Sequence, residues 1–148
     1  MTRKIVLDSC VVSKLFLNEK DSEAAVDLFA RATHMDCELY APNFLYYEVI
    51  HVAQYYALPI KQVVTMLNDE ISLLLKLIEP TKEHIAKAIT IIQMGHTQSG
   101  FPSIYDAIFH AMAIVDDATF ITADRKHLTK TKHLGNILLL ADYTQAFT

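Results

Sequence analysis

Residues 4–17, KIVLDSCVVSKLFL, begin with a short apolar run that ends at Asp8 and Ser9. Both side chains favour the start of a helix, because their oxygens can accept hydrogen bonds from the free backbone N–H groups of a first helical turn. The stretch therefore predicts a strand that passes directly into a helix, which ends at Phe16 or Leu17. A strand followed at once by a helix is the unit from which parallel sheets are built.

The same alternation continues along the rest of the chain. Further strands are predicted at residues 38–40, 76–78, 119–122 and 136–140. A second helix opens at Asp21 and Ser22, others are predicted at residues 42–57, 59–74, 81–94, 103–115 and 123–130, and a loop is predicted at residues 96–103. Because parallel strands need crossover helices on the faces of the sheet, we predict an α/β fold. It is a three-layer α/β/α sandwich with a mostly parallel central sheet, formed by one domain over residues 1–148.

The composition supports one domain with a substantial core. The chain has 148 residues, of which 52% are hydrophobic and 20% are charged, and this is enough apolar material for a single core. No apolar run approaches the ~20 residues that a membrane-spanning helix needs. The first ten residues, MTRKIVLDSC, lack the apolar stretch of a signal peptide. We therefore expect a cytoplasmic protein with no membrane contact.

Composition also excludes several kinds of site. The two cysteines, Cys10 and Cys37, form no CxxC pair, which argues against a disulfide framework or a thiolate zinc site. With three glycines, the chain has no GxGxxG or GxxxxGK[ST] loop to hold a nucleotide. The formal net charge of −4 argues against a generally basic nucleic-acid coat but is compatible with a local basic patch.

Four acidic residues lie where predicted elements begin or end: Asp8, Glu48, Asp106 and Asp124. The carboxyl ends of parallel strands share one edge of a sheet, so we expect these carboxylates to converge there. Neighbouring carboxylates raise one another's pKa, and a divalent cation relieves the repulsion. An all-oxygen set of ligands favours Mg²⁺ or Mn²⁺ over zinc. The natural chemistry of such a site is phosphodiester hydrolysis.

Each acid also has a structural interpretation. Asp8 and Asp124 are placed to cap helices, and Asp106 lies in a first helical turn, where the helix dipole favours an acid. Glu48 is harder to explain in this way, because the same helix face is apolar and a carboxylate in such company is usually paired or bound to metal. One turn after Asp106, His110 is expected to be a structural residue, packed or half-exposed.

Four blocks, KIVLDSCVVSKLF, APNFLYYEVIHVA, SIYDAIFHAMA and ATFITADRKHL, resemble in order and spacing the four acidic blocks of the PIN-domain nucleases, especially the VapC-like toxins of toxin–antitoxin pairs. The resemblance covers nearly the whole chain and implies a single PIN-like nuclease domain. It implies that Asp8, Asp106 and Asp124 hold one or two Mg²⁺ or Mn²⁺ ions, directly or through water. Glu48, the remaining catalytic acid, would orient the attacking water.

The resemblance extends to neighbours of the acids but is not complete. Ser9 and Thr122 match supporting polar positions of the site. Cys10 stands where the family usually has a small hydroxyl residue, and His51 stands where asparagine is common. Neither change removes an acid, but both alter the hydrogen bonding expected around the metal, and His51 would bring a pH-dependent charge close to it.

The function implied by the resemblance is an Mg²⁺- or Mn²⁺-dependent endoribonuclease, the toxin of a pair that a small antitoxin protein silences, and a homodimer. Two alternatives stay open: a housekeeping RNA-processing nuclease of the same chemistry, and a catalytically silent scaffold for protein contacts. Receiver domains need an adjacent acidic pair after the first strand, which offers only Asp8. The DxD signature of haloacid dehalogenases is missing because Cys10 occupies its third place.

Two surfaces are candidates for contacts with partners. The densest basic stretch directly follows the fourth acid, and its histidines, His127 and His133, have no spacing that suggests a ligand. The predicted contacts with RNA phosphates are Lys14, Arg125, Lys126, Lys130 and Lys132. An apolar surplus, available either to the core or to an interface with a dimer mate or an antitoxin helix, consists of Tyr46, Tyr47, Tyr55, Tyr56, Leu58, Val63 and Met66.

Overall fold

The computed structural model describes residues 2–94 and 100–148. Its centre is a sheet whose five strands are β1 (Arg3–Leu7), β2 (Cys37–Pro42), β3 (Leu75–Ile78), β4 (Thr119–Thr122) and β5 (Ile137–Leu139). The strands lie in the order β3-β2-β1-β4-β5, and every neighbouring pair is parallel. The predicted sheet is confirmed. Its middle strand is the apolar run of the opening stretch.

Helices connect the strands and cover both faces of the sheet. They are α1 (Ser9–Ser13), α2 (Ser22–His34), α3 (Leu45–Tyr55), α4 (Ile60–Asp69), α5 (Lys82–Met94), α6 (Ile104–Val115) and α7 (Arg125–Thr131), with 3₁₀ turns at Ile71–Leu73, Lys132–Leu134 and Leu140–Phe147. Successive residues of a strand point to opposite faces, and Ile5, Val6 and Leu7 are all buried. Both faces of β1 are therefore covered, as the three-layer prediction requires. No helix within the two described stretches has the length and apolar content needed to cross a membrane.

Three predicted boundaries were wrong. Pro42 does not begin a helix but ends β2, where it pairs in register with Ile78, and α3 starts three residues later. The helix that begins after Pro59 stops at Asp69 instead of continuing to residue 74. The helix after Asp8 is shorter than expected because it ends at Ser13. The predicted loop at residues 96–103 lies partly outside the described residues.

Helix α6 is the main core helix. Every residue from Ala107 to Ala113 is buried. Ser103 caps the helix, since its hydroxyl accepts a hydrogen bond from the Asp106 backbone N–H at 3.1 Å. The first turn of this helix thereby holds Asp106 in a fixed place, half-buried.

The other end of α6 is tied to two further elements by Asp116, the residue that follows it. This carboxylate accepts hydrogen bonds from the Tyr40 hydroxyl of β2 at 2.8 Å and from His84 Nε2 of α5 at 2.9 Å. His84 Nδ1 accepts the backbone N–H of Thr81 at 3.1 Å, which places the ring proton on Nε2. One carboxylate thus holds α5 and α6 against the sheet.

Candidate active site

Asp8 leaves the carboxyl end of β1 with its side chain buried. Its backbone N–H donates to the carbonyl of Ile121 in β4 at 3.0 Å, which carries the pairing of the two strands as far as this residue. The side chain makes no capping hydrogen bond to α1. Instead, Oδ2 accepts a hydrogen bond from the Thr122 hydroxyl at 2.7 Å. Capping therefore does not account for this carboxylate.

Burial raises the pKa of Asp8 to about 6. The hydrogen bond from Thr122 opposes this shift, while the negative charge of Asp106 adds to it. The Ser9 hydroxyl lies 3.4 Å from Oδ1, a long and weak contact. The ionised form of Asp8 is therefore destabilised, both by burial and by the nearby charge of Asp106.

Glu48 belongs to the same electrostatic group. It lies in the first turn of α3, and its Oε1 atom is buried with no hydrogen-bond partner among the described residues. Burial, together with the charges of Asp8 and Asp106, raises its pKa to about 7. A buried carboxylate oxygen without a hydrogen-bond partner lowers the free energy of unfolding. The sequence interpretation of Glu48 as a functional acid agrees with this environment.

Asp124 has a different environment. It caps α7 through Oδ1, which accepts the backbone N–H groups of Lys126 at 2.9 Å and His127 at 3.2 Å. Its side chain is exposed, and Asp106, not Asp124, is the further charge that raises the pKa of both buried acids. The structure therefore brings three of the four predicted acids into mutual interaction and gives the fourth a capping role. Its predicted role as a metal ligand stays a prediction.

Thr122 and Cys10 connect these acids. The Thr122 hydroxyl has one proton and donates it to Asp8, while its oxygen accepts the Asp124 backbone N–H at 3.0 Å. Cys10 Sγ lies 3.7 Å from the same oxygen. Because the hydroxyl proton is already committed, the thiol is the donor in this contact. Cys10 Sγ also accepts the backbone N–H of Ala123 at 3.3 Å.

The thiol is neutral in this environment. Burial raises the pKa of Cys10 well above its usual value, and the charge of Asp8 adds to the effect. Cys10 therefore supplies a weak S–H donor where the resemblance leads one to expect a hydroxyl. His51, the second departure, is exposed on α3.

The donor set fits a hard divalent cation. Asp8, Glu48 and Asp106 are carboxylates that repel one another, and one oxygen of Glu48 has no partner among the described residues. A cation at this edge would relieve the repulsion, and a water molecule bound to it would satisfy that oxygen. Across residues 2–94 and 100–148, however, no three His, Cys, Asp or Glu side chains are gathered closely enough to hold a metal ion. The acids interact through their charges without forming a complete ligand cage.

His127 was wrongly assigned to the basic surface. Only 2% of it is exposed, and neither ring nitrogen has a partner in the part of the chain that the structure describes. Burial lowers its pKa, while the charges of Asp106 and Asp124 oppose this shift. His127 and Thr131, which is also buried, are four residues apart and share a helix face, but both are polar, so their spacing did not predict burial.

His110 is a packed structural residue, as expected. It is fully buried, and its Nε2 atom lies 2.7 Å from the carbonyl oxygen of Gly135. Burial lowers its pKa to about 4. The neutral ring therefore donates from Nε2 to the carbonyl and belongs to the core between α6 and β5.

The predicted phosphate contacts divide into two groups. The ammonium group of Lys14 pairs with Glu19 and with Asp21, the latter at 2.9 Å. A contact with RNA would have to replace these ion pairs, and the predicted phosphate contact of Lys14 stays a prediction. Arg125, Lys126 and Lys132 are exposed and Lys130 is half-buried. None of these four forms an ion pair within the described stretches. They stay candidates for contacts with an anion.

The fold is similar to several solved structures. Against VapBC-1 from nontypeable Haemophilus influenzae the TM-score is 0.67 at 13% identity, over 94% of this chain and 99% of that chain. Against FitAcB from Neisseria gonorrhoeae it is 0.67 at 17% identity, over 93% and 99%. Against VapC20 from Mycobacterium tuberculosis, described as a sarcin–ricin loop cleaving toxin, it is 0.65 at 12% identity, over 84% and 93%. At these identities the similarity establishes the fold alone.

Sequence comparison gives the family. No curated protein matches the chain significantly by sequence, but the family model of the PIN domain matches residues 5–134. That range contains all four acids, the strands β2, β3 and β4, and the last three residues of β1. The protein is therefore a member of the PIN-domain family.

Proposed function

We propose that this protein is an Mg²⁺- or Mn²⁺-dependent endoribonuclease, a single nuclease domain that acts in the cytoplasm as the toxin of a toxin–antitoxin pair. One observation carries the proposal: the buried Asp8 and the half-buried Glu48, both with raised pKa values, interact with Asp106 at the carboxyl edge of a parallel sheet, and Oε1 of Glu48 has no partner among the described residues. Without a cation, such a group of carboxylates destabilises the folded state. Membership of the PIN-domain family supports the same conclusion.

Each of the four acids would have a defined role in the site. Asp8 and Asp106 would hold the ion, with Asp124 joining them through the carboxylate oxygen that does not cap α7. The chemistry that Mg²⁺ or Mn²⁺ supplies at such a site is Lewis-acid activation of phosphate and of water. Glu48 would orient the attacking water through Oε1, which has no hydrogen-bond partner among the described residues. Thr122 fixes the Asp8 carboxylate.

RNA as substrate and an antitoxin as partner are proposed from the names of similar structures. VapC20 is described as a toxin that cleaves the sarcin–ricin loop, and the matched structure from Klebsiella pneumoniae is a toxin–antitoxin complex. In this chain Tyr47, Tyr55 and Tyr56 are exposed, as a surface for an antitoxin or a second copy requires. Val63, expected in the same surplus, is buried in the monomer. Sedimentation equilibrium of the isolated chain tests the proposed homodimer.

The proposal is tested by incubating total cellular RNA with the purified protein in Mg²⁺, Mn²⁺ or EDTA. We expect a few discrete cleavage products in either metal and none in EDTA. Asp106→Asn should abolish cleavage, because it removes a charge from the acid group while preserving the shape of the side chain. Asp117→Asn is the matched control. Asp117 is exposed beyond the other end of α6 and has a positive φ of 53°, which asparagine tolerates.

The control should cleave as the parent does. Cleavage that survives EDTA, or equal cleavage by Asp106→Asn and the parent, would contradict the proposed role of the acids. A folded parent protein that cuts nothing in any metal would favour the scaffold alternative.

A further inference from the structure

An exposed aromatic ring stands beside the acids. Tyr105 immediately precedes Asp106 in the first turn of α6, and it is 58% exposed. The ring of Phe44 meets it edge to face, with 5.5 Å between ring centroids and 79° between ring planes. This is the geometry that aromatic pairs prefer. The packed edge leaves a large part of the Tyr105 ring open to solvent.

Phe44 also relates this ring to Glu48. Phe44 is the residue before α3, and the Glu48 backbone N–H donates to its carbonyl at 3.2 Å. Residues four apart at the start of a helix lie on the same face, with Cβ atoms about 5–6 Å apart. The Tyr105 side chain, on the residue before Asp106, therefore contacts a residue that lies about one helical turn before Glu48.

The ring is anchored from the core. Phe44 packs edge to face on Phe109 as well, with a centroid distance of 5.4 Å and an interplanar angle of 89°. Phe109 is fully buried in α6 and stacks on Phe120 of β4 at 5.8 Å. These rings form a continuous aromatic column that ends at Tyr105 on the surface. A ring held in this way loses little conformational entropy when a ligand covers it.

We propose that Tyr105 is a stacking platform for one unpaired base of the RNA, next to the phosphate at the acid group. This inference rests on the proposed nuclease function and adds the residue that would hold a base of the substrate. The proposed cation and the basic side chains of α7 would attract the phosphates but not the bases, so a base held there needs an attraction that does not depend on charge. Stacking on an aromatic ring provides one for any base. In a duplex the base faces are covered, and no ring can stack on them.

The test uses single-stranded RNA oligonucleotides in which 2-aminopurine replaces one base at successive positions. Protein carrying Glu48→Gln, which preserves the shape of the side chain, is titrated in Mg²⁺ so that binding is measured without cleavage. We expect 2-aminopurine fluorescence to be quenched at one position. Adding Tyr105→Phe should preserve the quenching. Adding Tyr105→Ala should remove it and raise the Kd roughly 5- to 150-fold.

Leu73→Ala is the matched control. Leu73 is 80% exposed, and it lies in the 3₁₀ turn before β3, at the opposite edge of the sheet from the acids. The control should bind and quench as the parent does, and a duplex of the same sequence should show no quenching. Quenching at no position, or equal quenching with and without Tyr105, would overturn the platform. So would unchanged RNA binding by Tyr105→Ala together with weakened self-association, which would make the ring a protein contact.

The stacking role of Tyr105 and the nuclease activity can fail independently of each other. If the parent cuts RNA and Tyr105→Ala cuts it with unchanged kcat/KM and binds it normally, the platform fails and the nuclease stands. If quenching depends on Tyr105 but the parent cuts no RNA in either metal, the nuclease fails and the platform stands.

Discussion

At the scale of single residues, the buried acids make the stability of the folded chain depend on pH. The pKa values of Asp8, about 6, and Glu48, about 7, are raised by burial above those of the unfolded chain. The folded state therefore binds more protons than the unfolded state between about pH 4 and pH 7. The contribution of these two groups is most favourable below about pH 4, and it is lost as the pH rises through 6 and 7.

Glu48→Gln should flatten this decline. The variant removes an ionised group that is unfavourable in the fold above pH 7, so its free energy of unfolding at pH 8 in EDTA should exceed that of the parent by about 1–2 kcal/mol once partial exposure is allowed for. Urea denaturation from pH 5 to pH 8 measures the difference. Buried histidines such as His110 act in the opposite direction, but they are common to both proteins and cancel in the comparison.

Glu70→Gln, an exposed site at the end of α4, should keep the pH dependence of the parent. Added Mg²⁺ should stabilise the parent more than Glu48→Gln. Identical pH profiles for Glu48→Gln and the parent would mean that Glu48 is not strained in the fold.

The sequence located the acids but not their environments. Asp8 and Thr122 were assigned to one site, and they are hydrogen-bonded across 114 residues of chain. The ion pairs of Lys14 and the burial of His127 were missed, because both depend on which segments pack together. The spacing of residues in the sequence predicts which of them share a helix face, but it does not predict which segment packs on that face.

At the scale of the elements, Asp116 links α5, α6 and β2 through its hydrogen bonds with Tyr40 and His84. Asp116→Asn should lower the free energy of unfolding by roughly 1–3 kcal/mol, because an amide cannot accept from both Tyr40 and His84 as a carboxylate does, and one buried donor loses its partner. Urea denaturation at neutral pH measures this loss. The exposed neighbour Asp117, changed to Asn in the same way, should cost little, and equal stabilities of the two variants would contradict the role of the network.

Most element positions followed from sequence patterns, and the errors have physical reasons. The apolar runs predicted the strands to within about two residues. Pro42 was misplaced because proline fits both the first turn of a helix and the last position of a strand, where no further N–H is needed. The end of α4 was misplaced because the 3₁₀ turn at Ile71–Leu73 continues the apolar spacing.

At the scale of the whole molecule, a net charge of −4 conceals a local basic stretch beside the acids. Replacing Lys130 and Lys132 together by Ala should weaken RNA binding. It should also reduce the slope of log K against log salt concentration by about 0.7 for each phosphate that the variant no longer neutralises. Binding titrations at several salt concentrations measure both effects. The matched control replaces Lys61 and Lys82, exposed lysines on α4 and α5; equal slopes in the two variants would rule out the α7 stretch as the contact.

The central position of β1 also has a consequence for synthesis on the ribosome. The hydrogen bond between Asp8 and Thr122 forms only when β4 pairs with β1, and Thr122 lies 114 residues further along the chain. At roughly 5–20 residues per second, translation of that interval takes about 6–23 s. Throughout that time the nascent chain has no assembled acid group. Under the proposed function, a polypeptide still being made is unable to cut the messenger that encodes it.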